Sequence, residues 1–141
     1  GIQQRVIEGL GMQTDLYATF SQLAGFKASK TALDSFDLSA TLTREESSPR
    51  TFVPFYSGSE LRAFRVNRHK IHYVTQGAYG RVPKRKEHNP PMLIDLKNDI
   101  GETTDISEKK PAITADINQY AKAFQQSITI KTSIVDSQFS E

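Results

Sequence analysis

Cysteine is absent from the 141 residues, which excludes disulfides, a thiolate nucleophile and any cysteine-based zinc site within this stretch. No run approaches the roughly 20 apolar residues that span a bilayer, and nothing near the N-terminus has the apolar core of a secretory signal. The chain opens on Gly1-Ile2 rather than methionine, as an excised or processed piece of a longer protein would. The missing leader therefore leaves the compartment open. Apolar residues are also scarce: they make up 37%, or about 43% with the eight glycines, against the usual 45–50% or so. A face packed against another domain, or a long polar tail, would each produce that shortfall. A chain of this length still buries roughly 68–70% of its unfolded surface, enough for a core of its own.

Acidic residues are missing from one stretch. Residues 61–86 carry eight cations (Arg62, Arg65, Arg68, Lys70, Arg81, Lys84, Arg85 and Lys86) and neither Asp nor Glu. The rest of the chain then holds 10 basic against 16 acidic residues, a balance of −6, so the overall charge of +2 conceals a strong asymmetry. Such a concentration of positive charge favours an anionic partner: a sulfate ester, a phosphate or an acidic surface.

Periodicity supplies the elements. In DLYATFSQLAG, Leu16, Phe20, Leu23 and Ala24 fall at helical spacing and Gly25 stands at the C-cap, which predicts a helix over about 15–24. Residues 26–50 are polar and turn-rich, with a partial helical turn in DSFDLSATL and a breaker at Ser47-Ser48-Pro49-Arg50. Three strands follow at 51–56, 61–67 and 69–75, joined by short connections that predict an antiparallel meander. Residues 76–91, with their glycines, prolines and Lys84-Arg85-Lys86, read as a long exposed loop before a last strand at 92–96. Pro111 opens the clearest helix, in which Ile113, Ile117, Tyr120, Phe124 and Ile128 form an apolar stripe. Residues 129–141 read as an extended tail. The expected fold is α+β: a four-stranded antiparallel sheet packed against a C-terminal helix and preceded by a short helix.

Four segments in this order carry a family resemblance. DLYATFSQLAG resembles an Asp-Leu-aromatic-Pro-Thr…Leu-Ala-Gly helix, with Ala18 in place of the proline. SFDLSATL is similar to a Gly-aromatic-Asp-Leu-Ser segment, and LRAFRVNRHKIHYVTQG to a strand pair running Ala-Val-Arg…Lys-x-His-aromatic…Thr-Gln-Gly. PPMLIDLKNDIGETTDIS resembles Pro-Leu-Leu-Tyr-Asp-Leu…Asp-Pro-Gly-Glu, with Ile100 replacing proline. Together they identify residues 12–128 as similar to the C-terminal third of type I sulfatases of the arylsulfatase A kind.

That resemblance implies a parent enzyme that hydrolyses sulfate esters with a formylglycine hydrate beside a calcium ion. The formylglycine arises from a Cys/Ser-x-Pro-x-Arg motif; Ser47-Ser48-Pro49-Arg50-Thr51 has Thr where that motif needs Arg. The family's calcium carboxylates and sulfate-binding lysine precede the first helix, so no catalytic residue, metal ligand or cofactor is expected in this chain. Alone it is expected to be inactive. Residues 1–50 then end the catalytic domain and 51–141 form the C-terminal subdomain. The partners implied are the N-terminal catalytic domain and a sulfate-ester substrate, in a periplasmic, extracellular or lysosomal parent.

Five residues are expected to border the substrate pocket. Lys70 and His72 match the Lys-x-His strand and share one of its faces. Gln76 belongs to the matched Thr-Gln-Gly, and Tyr79 and Arg81 follow where the family places a histidine; a tyrosine ring stacks on sugars or aryl groups and a guanidinium forks onto anions. From the residues alone, Lys70 and His72 suit a supporting role equally well, and residues 75–91 a solvated loop. His69, His72 and His88 lack carboxylates at ligand spacing, while Asp99, Gly101 and Glu102 read as a turn. The alternative reading is a stand-alone module that holds a sulfated glycan or nucleic acid through residues 61–86. No nucleic-acid motif is present, so nucleic acid is not expected as a partner.

Overall fold

The computed structural model describes residues 6–26 and 34–128; the proposed tail at 129–141 lies outside them. Helix α1 spans Asp15–Leu23, a short α2 Ser39–Arg44, and strands β1 to β3 span Phe52–Ser57, Glu60–Val66 and His69–Thr75. After a single 3-10 turn at Ala78–Gly80 come β4, Lys86–Asp95, and helix α3, Pro111–Ser127. The strands pair in sequence order as an antiparallel sheet. The α+β architecture is thus the one expected.

Local chemistry explains the connections. Gly58 at φ +60° and Asn67 at φ +49° turn the two hairpins, positions where glycine costs nothing and asparagine little. Phe55 pairs with Ala63 but Tyr56 with Leu61, so Arg62 is an extra, unpaired residue bulging from β2.

One face of the sheet makes the core. Phe64, Ile71 and Leu93 are neighbours across β2, β3 and β4, and all three are fully buried beneath Ile117 and Ala121 of α3. Phe52 stacks on Phe64 at 5.5 Å, and Tyr120 and Phe124 lie against both rings. Tyr73 donates to Asn118 at 2.9 Å, and burial pushes its phenol up to about 12. The stripe expected on α3 is displaced: its buried centre is Thr114, Ile117 and Ala121, while Phe124 is half-buried, Tyr120 is partly exposed and Ile128 lies past the helix end. The aliphatic and small side chains of this line lie over the sheet, and the large rings of Tyr120 and Phe124 flank it against Phe52 and Phe64.

The loop expected at 76–91 is shorter, since β4 begins at Lys86 and runs through Pro90-Pro91. An edge strand tolerates proline, whose missing N–H is not needed by a neighbour there. The pairing is irregular where the prolines occur, Val74 opposing Glu87 but His72 opposing Met92. The outer edge of β4 is sealed from residues 105–106: Leu93 N–H donates to Asp105 Oδ1 at 3.0 Å, and Ile106 N–H to the Leu93 carbonyl at 2.8 Å. On the other side β1 is an edge strand interrupted by Pro54.

Helix α1 is attached to this sheet through polar groups. Asp15, Ala18 and Thr19 face inward, whereas Leu16, Phe20 and Leu23 are 47%, 60% and 47% exposed, with Tyr17 and Phe26 also outward. Arg50, within the stretch read as a loop breaker, is buried and pairs with Asp15. Thr19 and Ser35 add bonds from side chain to backbone that hold residues 35–38 alongside.

Candidate functional site

The structure sorts the five sequence-predicted residues into two groups. Lys70 and His72 point from the sheet face opposite α3, in register with Ile94 and Met92 of β4. Both converge on Glu102, which lies in the turn after β4. Lys70 Nζ donates to its two oxygens at 2.7 and 2.9 Å, and His72 Nε2 lies 2.6 Å from Oε2. Lys70 also hangs 4.4 Å over the Phe55 ring. Glu102 is presented by an Asp99-capped turn, in which the Asp99 carboxylate accepts from the Thr103 and Thr104 amides. The Asp-x-Gly-Glu segment close behind β4 was the available signal for it.

Electrostatics tighten this triad. Burial and the neighbouring Lys70 lower the His72 pKa against the opposing pull of Glu102, which favours the neutral ring. Burial raises the Glu102 carboxyl, but hydrogen bonding and charge from Lys70 and His72 outweigh it and hold it below its ordinary value. The three groups satisfy one another and leave little capacity for a ligand.

Gln76, Tyr79 and Arg81 belong to the loop beyond β3. Gly77 is fixed by its N–H donating to the Pro83 carbonyl at 2.6 Å, and Arg81 N–H donates to the Ala78 carbonyl at 3.1 Å. A Cβ on Gly77 would stand 2.4 Å from the Arg81 carbonyl oxygen and 2.7 Å from that of Val82, so only glycine fits. Tyr79, at φ +54°, projects with 99% of its surface exposed. Arg62, the bulge residue, donates to Gln76 at 3.1 Å and to Glu60 at 3.0 Å. Arg85 donates to Glu60 at 2.6 Å and to Glu87 at 2.5 Å. Glu60 therefore ties both ends of the loop to the tip of the β1–β2 hairpin.

A separate open cleft of about 760 Å³ lies at the opposite end of β3, lined by residues that include Ser48, Thr51, Arg65, Asn67, Arg68 and Lys97. Arg68 forks onto Asp95, whose carboxyl this pair holds down at about 2. None of the five predicted residues lines it.

A family model described as the C-terminal region of aryl-sulfatase matches residues 48–140. The chain belongs to the aryl-sulfatase C-terminal family. As a sulfatase C-terminal region it is 32% identical over 135 residues to Arylsulfatase A of Homo sapiens, covering 85% of this chain and 27% of that protein. Arylsulfatase A of Bos taurus is 30% identical over the same extent. The chain thus spans about a quarter of the length of the curated relatives it matches. Among solved structures, the PsFucS1 sulfatase from Pseudoalteromonas sp. superposes with a TM-score of 0.68 at 23% identity, over 82% of this chain and 25% of that one. A Bacteroides thetaiotaomicron protein described with the metabolism of multiple glycosaminoglycans superposes at 0.63, with 17% identity over 79% of this chain and 24% of that one. These structures share the fold of the sulfatase C-terminal region.

Calcium and formylglycine, which the family implies, do not fit the described residues. Among the described residues no three His, Asp or Glu side chains are grouped to hold a metal. Asp15, Asp95 and Glu102 are each engaged by a cationic partner. Ser48, the serine before Pro49, is bonded to the Leu10 carbonyl at 2.6 Å in a stretch that lacks the motif's arginine.

Proposed function

We propose that this chain is the C-terminal part of a sulfuric ester hydrolase, in which it braces the catalytic portion and lends one wall to the substrate pocket without catalytic residues of its own. Residues 1–50 complete the catalytic domain and residues 51–141 form the subdomain. The observation that carries the bracing role is the orientation of α1: its polar side is locked to Arg50 while Leu16, Phe20 and Leu23 face outward as an apolar stripe. A stripe at that spacing belongs against a partner element, and the relatives' remaining length, about three quarters, supplies one. The loop carrying Gln76, Tyr79 and Arg81 supports the pocket role, being cationic, braced through Glu60 and free to meet substrate. Lys70 and His72 support that wall from beneath.

The test uses the full-length protein and a chromogenic aryl sulfate. Leu16→Asp with Phe20→Asp is expected to lower its melting temperature and activity together, whereas Arg81→Ala and Tyr79→Ala raise KM several-fold with little change in kcat, the mark of uniform binding. The 141-residue chain alone gives no turnover above a heat-killed control. Wild-type stability in the α1 double variant, or unchanged KM in both loop variants, removes the bracing or the pocket role respectively.

A further inference from the structure

We infer that residues 77–86 form a subsite for a second anionic group on a glycan substrate, beyond the sulfate that is hydrolysed. This deepens, and rests on, the sulfatase reading above.

The fold uses the eight cations of residues 61–86 in two ways. Five are bound internally: Arg62 to Glu60 and Gln76, Arg65 to the Asn67 carbonyl, Arg68 to Asp95, Lys70 to Glu102, and Arg85 to Glu60 and Glu87. Arg81, Lys84 and Lys86 remain, exposed and with no side-chain hydrogen-bond or ion-pair partner among the described residues. All three are on the loop or at its exit into β4. A charge run that merely solvates a surface has no reason to divide in this way, with the paired cations bracing the loop and the unpaired ones displayed by it.

Tyr79 stands beside them with its ring fully open to water, on a turn that Gly77 and Pro83 clamp shut. An exposed phenol ring on a fixed backbone turn offers a flat apolar surface for the C–H face of a pyranose. Arg81 presents a planar fork for sulfate or carboxylate. Lys84 and Lys86 add two further positive charges to that of Arg81, so the loop presents three cations where a single sulfate monoester carries one negative charge. The class these groups fit is an oligosaccharide with sulfate or carboxylate on neighbouring sugars. A membrane surface is a poorer match, because Val82 is the one large aliphatic side chain exposed beside Tyr79 among the described residues of the loop and anchoring requires a broad apolar face. Nucleic acid calls for successive stacking platforms, and the loop has one ring.

The full-length protein is assayed on two disaccharides, one sulfated only at the scissile position and one with a second sulfate on the adjoining sugar. The disulfated substrate is expected to show a kcat/KM about fivefold higher at low salt, in keeping with a few exposed charges, and the advantage shrinks as ionic strength rises. Lys84→Ala with Lys86→Ala brings the ratio toward unity, and Lys84→Arg with Lys86→Arg restores it. No turnover of either disaccharide, nor of an aryl sulfate, sinks the sulfatase reading itself. Turnover of both at a ratio near one, or a ratio that survives the double alanine variant, overturns the subsite alone. Binding of dextran sulfate, phosphatidylserine vesicles and duplex DNA completes the test; tighter binding of vesicles or DNA than of dextran sulfate also overturns it.

Discussion

Arg50 grips Asp15 from 35 positions away with two parallel hydrogen bonds, Nε to Oδ2 at 2.7 Å and Nη2 to Oδ1 at 2.5 Å, and both side chains are shut off from water. The carboxylate also accepts from the Met12 and Phe36 amides. The guanidinium reaches the Asp34 and Phe52 carbonyls and lies 4.5 Å over the Phe36 ring. Burial raises the Asp15 pKa, but these donors outweigh it and hold the carboxyl below its ordinary value. Removing either partner strands a charge in the interior, which costs about 3–5 kcal/mol. Asp15→Asn and Arg50→Ala are each expected to lose that much in denaturant melts. Arg50→Lys recovers little, since an ammonium lacks the fork. A loss under about 1 kcal/mol for Arg50→Ala would show that α1 is held by something else.

The Lys70–His72–Glu102 cluster predicts a two-step loss of stability in acid. Burial and Lys70 put the folded pKa of His72 below 6.5, with Glu102 opposing and His88 adding a small further lowering. The unfolded chain therefore binds the proton first, and stability falls as pH drops through 6.5 toward the folded value. Glu102, whose folded pKa is depressed, contributes stability that is present above 4.5 and lost as pH falls through its folded pKa. His72→Gln should flatten the upper step and largely leave the lower one, whereas Glu102→Gln should flatten the lower step and deepen the upper one, because Glu102 is the group that opposes the lowering of the His72 pKa. Chemical melts between pH 8 and 3 read both slopes; an unchanged upper slope in His72→Gln would reassign it.

Core truncations should follow the displaced register of α3. Phe64, fully buried among Phe52, Tyr120 and Phe124, is expected to cost about 3–5 kcal/mol on change to alanine. Phe124→Ala, at a half-buried position, should cost about 2 kcal/mol. Equal losses at the two positions in denaturant melts would contradict the arrangement.

Gly77→Ala should loosen the loop without unfolding the chain, because the added methyl meets backbone oxygens of Arg81 and Val82. Easing local opening by about 1.4 kcal/mol raises the open population about tenfold. Tryptic cleavage after Lys84 or Arg85 is expected to accelerate accordingly while the global melting temperature shifts little. Cleavage at the wild-type rate would mean that the clamp is dispensable.

Much of this architecture was legible in the residues. Alternation in 51–75 and the i, i+4 recurrences of 111–128 encode strands and helix directly, because a side chain's face follows from its position in the repeat. The Lys70 and His72 pairing on one strand face was readable for the same reason. Their partner Glu102 was not, since it reaches them from a turn 30 residues on in the chain. Arg50 was hidden for the same physical reason: a long-range ion pair leaves no periodic trace, and the surrounding Ser-Ser-Pro reads only as a break. Pro90 and Pro91 misled in the opposite sense, marking an edge strand rather than a loop. The five predicted pocket residues divided because burial, invisible in a list of charges, separates Lys70 and His72 from the loop that displays Tyr79 and Arg81.

The two margins of the sheet bear on how such a chain avoids self-association. Its β4 margin is occupied by Asp105 and Ile106, and its β1 margin is interrupted by Pro54, which cannot donate to an incoming strand. Strand-by-strand growth into fibrils is thus obstructed on both sides. The outward apolar stripe of α1 is thus carried by a fold whose sheet margins offer no ready template for stacking copies of the chain.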